Sequence, residues 1–306
     1  MFKTFEEAEA YYYGLWYSEN PDFKKALEVA SWCYGEFPEH KNQLMLDLGI
    51  LHGKLGQTDE SLHIFHEALD AGIWYPKVFI DEFWSEDWFV SVVERWLDYS
   101  QEDQFTSEVS YDFLTPKGLS KDKPVFIALH GWGEDIPLFK QFWTSERLKN
   151  DFNTVFVQSS QMVGAYHYQW TDYELAKKDI RKILSILSTE YGLDTSEIVV
   201  GGFSEGATTS LRLAFEDNDF NVTGFVALNP NLPEEINADS IRRLKEQQVK
   251  GGIITGDQDE CFEEQETMKQ LFDTQEYPVE WIVTKDFGHW FPKDLSQKID
   301  HILIQI

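Results

Sequence analysis

Basic residues are scarce in this chain: 26 Lys and Arg stand against 54 Asp and Glu in 306 residues, a formal net charge of −28. So acidic a chain lacks the basic patch that nucleic acid or an anionic membrane would need, and neither is expected as a partner. Cysteine is equally sparse. Cys33 and Cys261 make no disulfide framework, which fits a reducing compartment. No apolar run is long enough to span a bilayer, and Met1-Phe2-Lys3-Thr4-Phe5-Glu6-Glu7 lacks the apolar core of a signal peptide, so a cytoplasmic location is expected. Core-forming material is plentiful: 42% of residues are hydrophobic and 11 are Trp, ample for two compact units.

The apolar run Ile198-Val199-Val200 leads into Gly202-Phe203-Ser204-Glu205-Gly206, and Ala207, Leu211, Leu213, Ala214 and Phe215 follow as a plausible buried helix face. Strand, tight turn and helix with a serine at the turn predict a nucleophile elbow, whose flanking positions have room only for glycine. A serine hydroxyl is a poor nucleophile near neutral pH. It needs a histidine to take its proton and a carboxylate to hold that histidine's tautomer.

Both are supplied downstream. Ile253-Ile254-Thr255 runs into Gly256-Asp257-Gln258-Asp259, and Trp281-Ile282-Val283 runs into Phe287-Gly288-His289-Trp290. Each candidate lies past the carboxyl end of a predicted strand, where open α/β sheets bind their ligands. His289 is the expected base, because His301, also downstream of the acid, sits in a terminal amphipathic helix. Asp259 is favoured over Asp257 as the acid, since the longer loop lets its carboxylate turn back towards the histidine, whereas Asp257 suits a turn or cap. For the oxyanion, one backbone N–H is expected from Glu205 and a second from Trp132 in His130-Gly131-Trp132-Gly133, which follows the predicted strand Val125-Phe126-Ile127-Ala128-Leu129. Tyr166 and Trp170, beyond the predicted strand Val155-Phe156-Val157, and Trp290, beside the base, are candidate substrate contacts. His63 and His66 have helical spacing, but no carboxylate-histidine zinc motif accompanies them, so no metal is assigned.

The segments HGWG at 130–133, GFSEG at 202–206, GDQD at 256–259 and GHWFP at 288–292 together resemble the α/β-hydrolase superfamily. Within it they are similar to the phospholipase/carboxylesterase branch that includes acyl-protein thioesterases and dienelactone-hydrolase-like esterases. The resemblance covers about residues 105 to 306. It implies an α/β-hydrolase fold with a mostly parallel central sheet, a triad of Ser204, Asp259 and His289, and oxyanion donors at Trp132 and Glu205. It also implies a cofactor-independent serine hydrolase that cleaves carboxylic esters or thioesters through an acyl-enzyme. Glu205 and Ala207 stand where that branch has Gln and a second Gly, and Cys261-Phe262 where it often has Val-Pro.

Residues 1–100 show helical spacing and many aromatics. Gly14, Ala26, Ala30 and Cys33 recur 35 positions later as Gly49, Ser61, Phe65 and Ala68. With Leu48-Gly49, Leu55-Gly56 and the closing Pro38, this resembles the tetratricopeptide repeat (TPR). Two repeats are too few to bury a solenoid core, so they are expected to pack on the rest of the chain, on a protein partner or on a second copy in a homodimer. A third helical segment is predicted at about Glu86 to Tyr99. The expected organisation is a smaller all-α TPR-like domain at 1–100 and the catalytic domain at 101–306. The rival readings are an interaction module on a catalytically passive hydrolase scaffold, and a small peptidase.

Overall fold

The computed structural model describes residues 2–216 and 220–306. The chain forms two compact units. One holds the described residues up to Thr106 together with Val163–Ala165; the other holds Ser107–Met162 and Tyr166–Ile306.

The first unit is helical: α1 (Phe5–Trp16), α2 (Phe23–Glu36), α3 (Lys41–Lys54), α4 (Thr58–Asp70), the short α5 (Lys77–Ile80) and α6 (Val90–Thr106). Thr4 caps α1 by accepting the Glu7 N–H at 3.3 Å, and Asp22 caps α2 by accepting the Lys25 N–H at 3.0 Å. Helices α1 to α4 pack each on the next. Ala26, Ala30 and Cys33 are buried, as are Ser61, Phe65 and Ala68. Gly49 admits the Phe65 ring where a Cβ would stand 2.7 Å from it, and Ser61 Oγ donates to the Gly49 carbonyl at 2.7 Å. Gly14, the echo of Gly49, is exposed with no atom near its Cβ position, so close packing does not explain that glycine. The third helical segment runs on to Thr106, which moves the boundary between the units past residue 100. His66 Nδ1 accepts from Arg95 Nη1 at 3.1 Å, and its Nε2 lies 3.0 Å from Ser91 Oγ.

A buried acid stands out in this unit. Asp47 Oδ2 accepts from the Tyr12 hydroxyl at 2.7 Å and from the Tyr13 hydroxyl at 3.2 Å. Burial pushes its carboxyl up to about 7, although both hydrogen bonds pull the other way.

The strands of the chain are β1 (Ser110–Phe113), β2 (Val125–Leu129), β3 (Asn153–Gln158), β4 (Gln161–Gly164), β5 (His167–Gln169), β6 (Ile198–Phe203), β7 (Val222–Leu228), β8 (Lys250–Gly256) and β9 (Val279–Thr284), all in the second unit except the Val163–Gly164 end of β4. Seven of them form one sheet in the order β1-β3-β2-β6-β7-β8-β9, while β4 pairs with β5. Only β1 runs antiparallel within that sheet. Strand alternation sorts β2 between two cores: Val125, Ile127 and Leu129 face one, Phe126 and Ala128 the other. Helices α9 (Tyr173–Glu190), α10 (Glu205–Phe215), α11 (Ala238–Glu246) and α12 (Phe262–Thr274) cover the first face. Helices α7 (Ile136–Phe142), α8 (Glu146–Asn150) and α13 (Leu295–Leu303) cover the second. Leu129 pairs with Gly202, Phe203 with Leu228 and Gly256 with Thr284, so the loops after these strands emerge along one edge. Among the described residues no helix is long and apolar enough to cross a membrane.

Candidate active site

Strand β6 ends at Phe203, and Ser204, which follows it, adopts φ 53° and ψ −118°, a left-handed conformation that costs a non-glycine residue energy. Its N–H donates to the Leu228 carbonyl at 2.9 Å, which pins the turn to β7. A side chain at Gly202 or Gly206 would collide with the Leu129 carbonyl, and at Gly206 also with that of His130. The elbow therefore sits directly on the end of β2.

Ser204 Oγ lies 2.8 Å from His289 Nε2, and His289 Nδ1 lies 2.8 Å from Asp259 Oδ2, although these pairs are 85 and 30 residues apart in sequence. An ionised carboxylate only accepts, so Nδ1 carries the proton and Nε2 is left to accept from the serine hydroxyl. The Asp259 side chain is fully buried. Its second oxygen accepts the Cys261 N–H at 2.7 Å and Gln265 Nε2 at 3.5 Å, and Gln265 Nε2 also donates to the Pro230 carbonyl at 3.0 Å. Asp257 faces elsewhere. Its Oδ1 accepts the Phe287 N–H at 3.3 Å while the Gln258 N–H donates to the Phe287 carbonyl at 2.9 Å, fastening the acid loop to the histidine loop. Gly256 permits this approach, since a Cβ there would meet the Phe287 carbonyl.

The loop after β2 is fixed by buried polar groups. His130 is fully buried, and burial holds its imidazole down at about 4, hence neutral. Its Nδ1 donates to the Gly131 carbonyl at 2.7 Å, and its Nε2 accepts from Gln158 Nε2 at 2.9 Å and the Ser159 N–H at 3.3 Å. Gly131 gives its N–H to Glu134 Oε2 at 2.8 Å, and Gly133 gives its own to the Tyr168 carbonyl at 2.8 Å. Neither glycine N–H is therefore available to an oxyanion. Burial pushes the Glu134 carboxyl up to about 7, opposed by the Gly131 hydrogen bond and by the nearby His289.

The three expected substrate contacts fare differently. Trp290 is 49% exposed next to His289 in the chain, with ring centroids 5.8 Å from Phe142 and 6.1 Å from Phe203. Tyr166, at φ 66°, is exposed in the turn between β4 and β5. Trp170 departs from expectation: it is 1% exposed, packed in the core with its indole N–H on the His130 carbonyl, and presents no face to substrate. Trp132 is partly exposed, and its indole N–H donates to Gln169 Oε1 at 3.2 Å. Sequence reasoning passed over Glu134 and Gln265, since nothing local separates them from the many other acidic and amide residues.

Sheet order, elbow and loop placement together define the α/β-hydrolase fold, and solved structures share it. An uncharacterized protein from Bacillus cereus ATCC 10987 is 22% identical, with 97% of each chain covered and a TM-score of 0.54. Esterase PE8 is 19% identical over 65% of this chain and 99% of its own, with a TM-score of 0.50. A ferulic acid esterase is 14% identical over 65% of this chain and 97% of its own, also with a TM-score of 0.50. At such identities the likeness is one of fold. No protein-family model matches the sequence, and no curated protein is significantly similar to it.

Proposed function

We propose that this protein is a serine hydrolase that cleaves carboxylic esters or thioesters through an acyl-enzyme. The observation that carries the proposal is the unbroken hydrogen-bond chain from Ser204 Oγ through His289 to the buried Asp259, at 2.8 Å per link, starting from a strained elbow. His289 takes the serine proton as Oγ bonds to the substrate carbonyl carbon, then gives that proton to the departing alcohol or thiol. Water attacks the acyl-enzyme in the same way, and its proton returns through His289 to Ser204. The charge on the carbonyl oxygen is met by the N–H groups of Trp132 and Glu205, the latter at the first turn of α10, whose dipole favours negative charge. Each step draws only on side chains, backbone and water.

The aromatic surface of Trp290, backed by Phe142 and the buried Phe203, favours a small or medium apolar acyl or aryl group. We read the helical unit as a pair of TPR-like repeats, on the shared burial of Ala26, Ala30 and Cys33 and of their counterparts Ser61, Phe65 and Ala68. A fluorophosphonate probe tests the enzymatic proposal. Labelling of the wild type that disappears in Ser204→Ala is expected; a folded wild type that takes no label and hydrolyses no ester overturns it.

A further inference from the structure

We propose that Trp170 is the positioning residue that sets the separation of the two oxyanion donors, by tying the nucleophile elbow to the loop after β2; this rests on the serine-hydrolase reading above. The Trp170 backbone N–H donates to Glu205 Oε2 at 2.8 Å, and its indole Nε1–H donates to the His130 carbonyl at 3.0 Å. Glu205 is the residue directly after the nucleophile; His130 stands two before Trp132. One residue thus holds both arms.

The attachment at each end is firm. Thr171 Oγ1 donates to the other Glu205 oxygen at 2.8 Å, so two successive residues clasp the carboxylate. Gln161 and Asp172 exchange reciprocal hydrogen bonds of 2.8 Å, which anchor the segment that carries Trp170. His130 is locked by Gln158, Ser159 and Gly131, and its ring centroid lies 5.0 Å from that of Trp170. Gly206 closes the circuit, because its backbone seats against the His130 carbonyl with no room for a Cβ. The path runs from the elbow through the Glu205 carboxylate and Trp170 to the His130 carbonyl and back to the elbow.

Oxyanion donors accelerate a reaction only if they fit the tetrahedral oxygen better than the planar ester oxygen, so their spacing acts on kcat more than on KM. An indole N–H can hold the His130 carbonyl; a phenyl ring in the same place cannot.

The test compares full-length variants on an aryl butyrate ester and on a trifluoromethyl ketone, which the serine converts to a tetrahedral adduct. Trp170→Phe is expected to lower kcat by about 30-fold with KM within about twofold, and to weaken inhibition by the ketone by the same factor as kcat. Trp143→Phe is the control for loss of a buried indole, since Trp143 is equally buried and its ring nitrogen has no hydrogen-bond partner among the described residues. That variant should lose melting temperature and keep kcat. Glu205→Leu, which can no longer accept from Trp170 or Thr171, should reproduce the kcat loss. A Trp170→Phe enzyme with only a lower melting temperature reduces Trp170 to packing and overturns the proposal. A rise in KM alone makes it a substrate contact and does the same. If Trp170→Phe does not fold, full kcat in Glu205→Leu is the overturning result. Each of these leaves the wild type reactive with fluorophosphonate, whereas a wild type without that reactivity removes the hydrolase itself.

Discussion

Glu134, a residue only 5% exposed, accepts the Gly131 N–H on Oε2 at 2.8 Å, and its own N–H donates back to the Gly131 carbonyl at 3.3 Å. This reciprocal pair closes the loop that carries Trp132. Glu134→Gln keeps an acceptor for Gly131 and is expected to retain kcat within about threefold, while Glu134→Leu leaves a buried N–H unpaired and lowers kcat by about tenfold or more. Steady-state kinetics on one ester decides it, and equal rates in both variants would show that the loop holds its shape without the carboxyl.

The two acidic residues of the GDQD loop separate by partner. Asp259 meets His289 Nδ1, whereas Asp257 meets the Phe287 backbone. Asp259→Asn turns an acceptor-only group into one that can favour the wrong histidine tautomer, and kcat should fall by about 10⁴. Asp257→Asn still offers an oxygen to Phe287 and should stay within about threefold of wild type. Reversed effects would assign the acid to Asp257.

Trp290 offers an apolar edge next to His289, the proposed base. Its removal in Trp290→Ala should lower kcat/KM for butyrate or aryl esters by about tenfold, the loss of about 1.4 kcal/mol of apolar contact, with acetate esters changed far less. A uniform drop for all esters would point instead to displacement of His289.

Asp47 gives the helical unit a pH dependence of known sign. Its carboxyl is raised from an ordinary 3.8 to about 7 by burial, so below pH 4 it is protonated in folded and unfolded chains alike. Between pH 4 and 7 the unfolded chain ionises first, and folded stability falls as pH rises; above 7 the loss is complete. Asp47→Asn lacks this ionisation, so its melting temperature relative to wild type should rise from pH 4 to pH 8. Parallel melting profiles would show that the carboxyl is not what the folded state resists ionising.

The fold class was legible in the chain because apolar runs and their breakers are local. Ile198-Val199-Val200 before GFSEG, and Ile253-Ile254-Thr255 before GDQD, are strands meeting turns, and the structure has β6 and β8 there. The helical front was legible from its spacing, but its end at Thr106 was not, since Gln101-Glu102-Asp103-Gln104 is polar sequence that suits helix and linker equally. For Gly14, sequence spacing promised a packing role that the exposed position does not have. The inward turn of Trp170 is not legible for a related reason: an aromatic after a strand can face a cleft or the core, and its own sequence does not say which.

By itself the sequence determined which residue types stand at which strand ends, and so named Ser204, Asp257 or Asp259, and His289 as the possible partners. Tertiary structure alone decided that Asp259 reaches the imidazole, that Trp170 turns inward to His130, and that a carboxyl from Glu134 is spent on Gly131. The physical reason is one of range. Helix and strand signals are written over a few neighbouring residues, whereas hydrogen bonds between loops depend on sheet register and on which face of a strand each side chain leaves.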